Sequence, residues 1–175
     1  MAKNKIIILC VLFAISAVGL PVENARDRVV EIYAGEIGVR ELTGRNDGER
    51  VEEYLHSVGH KKGAAWCAAF VSWVFQQAKI KAVRSAWSPA WFPASNTIYT
   101  RGSSGNLTPE QADVFGIWFN NLKRIAHVGF IDEWQNTQFV VTVEGNTNEA
   151  GSREGDGVYR KRRLKSQIYK VSRWL

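Results

Sequence analysis

Cys67 opens a run without helix breakers, Trp66-Cys-Ala-Ala-Phe-Val-Ser-Trp-Val-Phe-Gln-Gln-Ala-Lys79. A thiol in the first turn of a helix feels the positive end of the helix dipole and the unpaired backbone N–H groups. Both favour the thiolate, the form that attacks carbonyl carbon. The same N–H groups can receive the charge that develops on the attacked oxygen. Position alone fits a buried structural cysteine equally well, so a base has to be sought elsewhere. His127 interrupts the apolar run Ile125-Ala-His-Val-Gly-Phe130, where a polar ring must be hydrogen-bonded or used. Strand alternation places it on one face with Ile125 and Gly129. His56 and His60 fall instead in a polar helix end and turn beside Lys61 and Lys62 and read as solvated surface. Glu144 ends the run Gln138-Phe-Val-Val-Thr-Val-Glu144. On a neighbouring strand it would accept the second ring N–H of His127 and hold the tautomer; the alternative is a turn carboxylate beside Gly145-Asn146. Thiol, base and orienting carboxylate are the minimal set for nucleophilic acyl transfer.

These residues need a helix and neighbouring strands to hold them, and the rest of the chain is patterned accordingly. Val29, Val30, Ile32, Tyr33 and Ile37 recur at helical spacing from about Asn24 to Glu36, with Gly38 as the stop. Gly44-Arg-Asn-Asp-Gly48 reads as a loop, and Asp47 is placed to cap a second helix whose apolar face is Val51, Tyr54, Leu55 and Val58. In the third helix Phe70, Val71, Val74 and Phe75 suit burial. Arg84 to Leu107, rich in proline, serine and tryptophan, reads as an irregular surface loop and a candidate substrate wall. From Asp113 onwards the texture changes to short β-branched and aromatic runs: Asp113–Phe119, Ile125–Ile131, Gln138–Glu144, Gly157–Leu164 and Ile168–Trp174. Helices first and strands second predict an α+β domain with an antiparallel sheet.

Composition bounds the same answer. The 175 residues, 45% hydrophobic and 11% aromatic, suit one globular domain and exclude disorder. Lys3 and Lys5 precede the apolar run Ile6–Val18, and Ala17-Val18-Gly19 follows a small-x-small pattern. That is the layout of a secretory signal peptide over residues 1–19, too short for a comfortable membrane span. The expected product is therefore residues 20–175, exported to the periplasm or secreted, meeting the membrane only transiently through that peptide. Cys10 leaves with the signal, so Cys67 is the only cysteine left and an internal disulfide or a four-cysteine zinc site is excluded.

Taken together, Trp66-Cys67-Ala-Ala-Phe-Val-Ser-Trp73, Ala126-His127-Val-Gly-Phe130 and Glu144-Gly-Asn146-Thr-Asn148 resemble the CHAP family, the cysteine, histidine-dependent amidohydrolases and peptidases. The resemblance runs in register from about Arg40 to Asn148. It implies a papain-like fold and an enzyme that hydrolyses amide bonds of peptidoglycan, either the muramoyl–alanine link or a stem or cross-bridge bond. It also implies that Cys67 is the nucleophile, His127 the base, Glu144 the orienting group and Asn146 an accessory polar residue. Such chemistry requires neither metal nor organic cofactor. The turn before the first strand of that family, commonly Pro-Gly-Asp, reads Gln111-Ala112-Asp113 here.

Around this centre, Trp66, Trp87, Trp91 and Asn46 are the candidate substrate-binding residues. Trp66 also suits the core from its place on the nucleophile helix, and Trp87 and Trp91 could flank a cleft with faces that stack on sugar rings. Glu41, Asn46 and Asp47 precede the second helix and form either a cleft rim or merely a capped loop. The basic run Arg160-Lys-Arg-Arg163 either draws the protein to anionic wall polymers or guards a solvated edge strand, and the second reading carries more weight. An exported chain with no nucleic-acid motif is not expected to bind nucleic acid. A monomer acting on peptidoglycan is the expected form. A catalytically silent wall-binding domain and an envelope-targeting antibacterial toxin are the alternatives.

Overall fold

The computed structural model describes residues 24–150 and 154–175. The export signal expected over residues 1–19, and Cys10 with it, lies outside them. The first helix, α1 (Ala25–Gly35), starts where the Asn24 side chain accepts the Arg26 N–H at 3.1 Å, the usual task of an N-cap. Gly38, at φ 102°, follows its end. The second, α2 (Glu49–His56), buries Val51, Tyr54 and Leu55 as its spacing predicts. Asp47 does not cap it. That carboxylate is taken by the loop, accepting from the Thr43 N–H at 2.9 Å and the Thr43 hydroxyl at 2.6 Å. Gly48, at φ 105°, stands at the N-cap instead, and the Glu52 carboxylate, one position beyond that of a capping box, reaches back to its N–H at 3.3 Å.

The third helix, α3 (Cys67–Gln77), is apolar on almost every side and has Phe70, Val71, Val74 and Phe75 buried. Burial of each large side chain contributes about 1.5–3 kcal/mol. Six strands form one sheet: β1 (Thr97–Thr100), β2 (Val114–Phe119), β3 (Arg124–Glu133), β4 (Phe139–Thr147), β5 (Gly157–Leu164) and β6 (Lys170–Ser172). Their order is β1-β6-β2-β3-β4-β5, and every pairing is antiparallel. The three helices pack on this sheet, the α+β arrangement expected. Val29, Tyr33, Leu55, Phe70, Phe130 and Val143 belong to the main core; Phe115, Ile131, Val140, Ile168 and Val171 make a smaller one.

The stretch from Arg84 to Leu107 is not the irregular loop its composition suggests. It holds a short 3-10 turn, Ser88–Trp91, and then β1, which pairs with β6. Thr97-Ile-Tyr-Thr100 are all strand-favouring residues, a short local signal set among proline, serine and glycine, and Trp91 and Phe92 insert into the core and tie the segment down. Trp91 stacks on Phe75 with ring centroids 5.6 Å apart.

Candidate active site

The site begins at the N-terminus of α3. Cys67 is the first helical residue, a free cysteine only 4% exposed. No acidic side chain lies in the first turn and no side chain caps it, so the positive helix end is left facing the thiol. The Ser88 hydroxyl lies 3.7 Å from Sγ. Burial alone would raise the thiol pKa; the hydrogen bond and charge of His127, with help from Ser88 and the Val128 N–H, outweigh it and hold Cys67 below the ordinary thiol value.

His127 reaches this point because β3 is not regular. Ile117 pairs with His127 but Trp118 pairs with Ile125, leaving Ala126 as an extra residue. Such a bulge re-aims the side chains around it. The alternation expected from sequence therefore breaks between Ile125 and His127: Ile125 joins Val128 in the main core, whereas His127 sits beside Phe115 of the smaller one. Gly129 keeps its expected role as the neighbour. A Cβ there would meet the Val143 carbonyl at 2.7 Å and Glu144 Cγ at 3.0 Å, so a larger residue would push the carboxylate away.

Glu144 is fully buried and accepts from His127 Nε2 at 2.8 Å through Oε2. Nδ1, buried and without a nitrogen or oxygen partner among the described residues, is the ring atom left for Cys67. Arg163 completes the line. Its Nε donates to Glu144 Oε1 at 2.5 Å and its Nη2 to Oε2 at 2.6 Å, while the Thr142 hydroxyl donates to Oε1 at 2.5 Å. Burial would raise the Glu144 pKa, but Arg163 first and His127 second hold the carboxyl well below the usual range. For His127, burial pulls the pKa down, and the interactions with Cys67 and Glu144 reverse this and push it up to about 9. A depressed thiol and a raised imidazole together favour a thiolate–imidazolium pair at neutral pH.

Asn146 does not touch the pair. It stands at φ 55° next to a second irregularity, where β4 slips against β5 between Glu144 and Thr147. In the amide orientation that satisfies its neighbours, its oxygen accepts the Trp66 N–H at 3.1 Å and its nitrogen donates to Asn46 Oδ1 at 3.2 Å and the Gly155 carbonyl at 3.1 Å. Asn146 thus fixes the backbone immediately before Cys67, and Asn46 backs it. A Cβ on the neighbouring Gly145 would meet the Trp66 ring at 2.7 Å and Phe70 at 2.9 Å, so glycine is what lets β4 approach α3 this closely.

Two of the four candidate substrate residues are not available to a ligand. Trp66 and Trp91 are both fully buried. The Trp66 indole N–H donates to Glu41 Oε1 at 2.8 Å, and Glu41 Oε2 accepts the Asn46 N–H at 2.9 Å, so Trp66, Glu41 and Asn46 brace the helix start. An indole buries best where its N–H finds an acceptor, and Glu41 provides one. Trp87 alone of the tryptophans near Cys67 is open, 54% exposed, with the Arg124 guanidinium 4.4 Å above its ring. His56 and His60 are exposed, as expected.

Sequence reasoning missed Arg163, Thr142 and Ser88. Thr142 was within reach, since it stands two residues before Glu144 on the same strand face. Arg163 was hidden in a run of four basic residues, and Ser88 in a segment read as loop. Among the described residues no group of three or more His, Cys, Asp and Glu side chains could hold a metal ion, and no helix is long and apolar enough to cross a membrane.

A family model described as the CHAP domain matches residues 59–146. No curated protein matches the chain. Because that match covers half of the sequence and runs from just before α3 into the end of β4, the chain belongs to the CHAP family, a group of amidases and peptidases that act on peptidoglycan.

Proposed function

We propose that this protein is an exported cysteine hydrolase that cleaves an amide bond of bacterial peptidoglycan through Cys67, His127 and Glu144. The observation that carries the reading is the continuous line from the helix N-terminus through the imidazole to a buried carboxylate, with His127 Nε2 2.8 Å from Glu144. A binding module has no use for a low-pKa thiol beside a raised imidazole, which argues against the silent domain.

In the first step Cys67 Sγ attacks the amide carbonyl carbon. The carbonyl π electrons move to oxygen, where the Cys67 backbone N–H receives the charge. The C–N bond then breaks as the proton on His127 Nδ1 passes to the leaving nitrogen, giving a thioester and a neutral imidazole. Water attacks the thioester, its proton returns to Nδ1, the C–S bond breaks, and the thiolate and carboxylic acid are released. Glu144 keeps the ring in the orientation both proton transfers require. Trp87, exposed and next in sequence to Ser88, supports a sugar-stacking role in this reading.

The test is digestion of purified peptidoglycan by reduced protein lacking residues 1–19, beside Cys67→Ala. Muropeptides released by the first and absent with the second, together with mass spectrometry of the fragments, would establish the hydrolase and name the bond. Folded wild-type protein that sediments with walls of several chemotypes and releases nothing would hand the function to the wall-binding alternative.

A further inference from the structure

We propose that Arg163 is a positioning residue for the catalytic pair, acting through Glu144 to keep the proton on His127 and so the charge on Cys67. The inference rests on the thiol-hydrolase reading and deepens it. Arg163 lies on β5, beyond the residues 59–146 matched by the family, and is the one buried member of its basic run. Arg160, 53% exposed, pairs with Asp132 at 3.0 Å. Lys161 donates to the carbonyls of Asn148 and Glu149. Arg162 stacks 3.7 Å over the Phe139 ring. Arg163, only 7% exposed, reaches Glu144 instead.

The geometry explains why an arginine is needed. A carboxylate offers about four acceptor directions. On Glu144, Arg163 Nε and the Thr142 hydroxyl occupy Oε1, and Arg163 Nη2 and His127 Nε2 share Oε2. The planar guanidinium fork therefore fixes the plane of the carboxylate and leaves one direction, the one the imidazole takes. Without the fork a fully buried carboxylate would compete for the imidazole proton, because a lone charge in a dry site is costly. A proton that moves to Glu144 leaves a neutral ring, which no longer supports the thiolate.

Among the described residues, the charged and titratable groups facing the pair are Cys67 from α3, Arg163 and Lys161 from β5, and Tyr159, which stands opposite Glu144 in the β4–β5 register. β2 contributes only the apolar Phe115 and Ile117. Lys161 is already occupied by two carbonyls, so Arg163 is the cation that meets the carboxylate directly.

The experiment is the pH dependence of Cys67 alkylation by iodoacetamide, which needs no wall substrate. It compares wild type, Arg163→Met, Arg163→Lys, Glu144→Gln and the double variant Glu144→Gln/Arg163→Met, with ring nitrogen NMR of His127. Arg163→Met is expected to raise the thiol pKa by about one unit or more, slowing alkylation at pH 6 about tenfold, and to remove the imidazolium signal at pH 7. Arg163→Lys keeps the charge without the fork and should move the same curve by less. On the Glu144→Gln background, Arg163→Met should add no further shift. A folded Arg163→Met with the wild-type curve and imidazolium signal overturns the proposal, as does an equal shift on both backgrounds. Should Arg163→Met fail to fold, a wild-type curve for Arg163→Lys overturns it. A protein that shows these shifts but digests no peptidoglycan would remove the hydrolase reading and leave the role of Arg163 standing.

Discussion

Two buried carboxylates in this domain are each gripped by an arginine from the C-terminal part of the chain, and only one of them also meets a histidine beside a thiol. Asp113, fully buried in the turn before β2, accepts from Arg173 Nε at 3.0 Å and Nη2 at 2.8 Å and from the Glu110 N–H at 2.8 Å, with Arg26 3.6 Å away. Each of those donors is a permanent cation or a backbone group, so the cluster ties α1 and the chain end to the sheet without a proton to exchange. Glu144 receives the same arginine fork, but one of its donors is His127, whose other ring nitrogen is left for a thiol. The fork is a general means of holding a carboxylate in a dry place; reactivity enters with the one partner that can lose a proton.

Neutralising each carboxylate separates the two. Glu144→Gln should keep much of the packing and lower hydrolysis about ten-thousandfold, the cost of a misheld imidazole in the serine triad; turnover of released amines measures it. Asp113→Asn should leave activity per folded molecule near wild type and lower stability by about 2 kcal/mol, discounted for the partly exposed Arg173. That corresponds to a melting temperature lower by about 4–8 °C. Lost turnover in folded Asp113→Asn would merge the two clusters into one functional unit.

The pH response sharpens the contrast. His127 is raised from its ordinary value near 6.5 to about 9, so its contribution to stability is complete below about pH 6.5. That contribution is lost as pH rises through about 9. Glu144 is depressed, and its contribution is present above the usual carboxylate range and lost in acid. Activity should therefore hold through neutrality and fall on the alkaline side near pH 9, and Asp113→Asn should leave that limb unmoved. A kcat/KM profile between pH 5 and 10 reads both.

Smaller changes probe the edges of each cluster. Ser88→Ala removes the hydroxyl 3.7 Å from Sγ and should slow thiol alkylation at pH 6 by about threefold. At the other cluster Ala112 stands at φ 64°, in the turn where this family commonly has glycine. The left-handed turn forms with alanine nonetheless, held by the Ala112 N–H donating to the Ile131 carbonyl at 2.8 Å. Ala112→Gly should relieve that strain and raise stability by about 0.5–1 kcal/mol, measured by thermal melting.

Much of the architecture is legible in the chain. Apolar spacing marks all three helices, and β-branched runs mark β2 to β5, because one buried face imposes period 3.6 or period 2 on the sequence. The strand β1 escapes this reading although Thr97-Ile-Tyr-Thr100 favours a strand, because the run is only four residues long and lies among proline, serine and glycine; its pairing with β6 is what the fold adds. Nor is the burial of Trp91, which depends on Phe75 and Trp174 closing around it. Asp47 shows the limit of local rules, because its best acceptor geometry lay within its own loop and not at the helix start.

The sequence by itself determined the cast: a single cysteine after the expected export signal, at a helix N-terminus, a histidine inside an apolar strand, and a carboxylate closing the next run. Those are statements about residue type and spacing, which local periodicity encodes. Only the tertiary structure decided how they meet. The extra residue at Ala126 broke the alternation that would have kept His127 with Ile125, and the slip after Glu144 sent Asn146 to the backbone of Trp66. Register across β4 and β5 chose Arg163 from four adjacent basic residues as the one that grips the carboxylate. Bulges and registers are set by the packing of whole strands against one another, and no single segment carries that information.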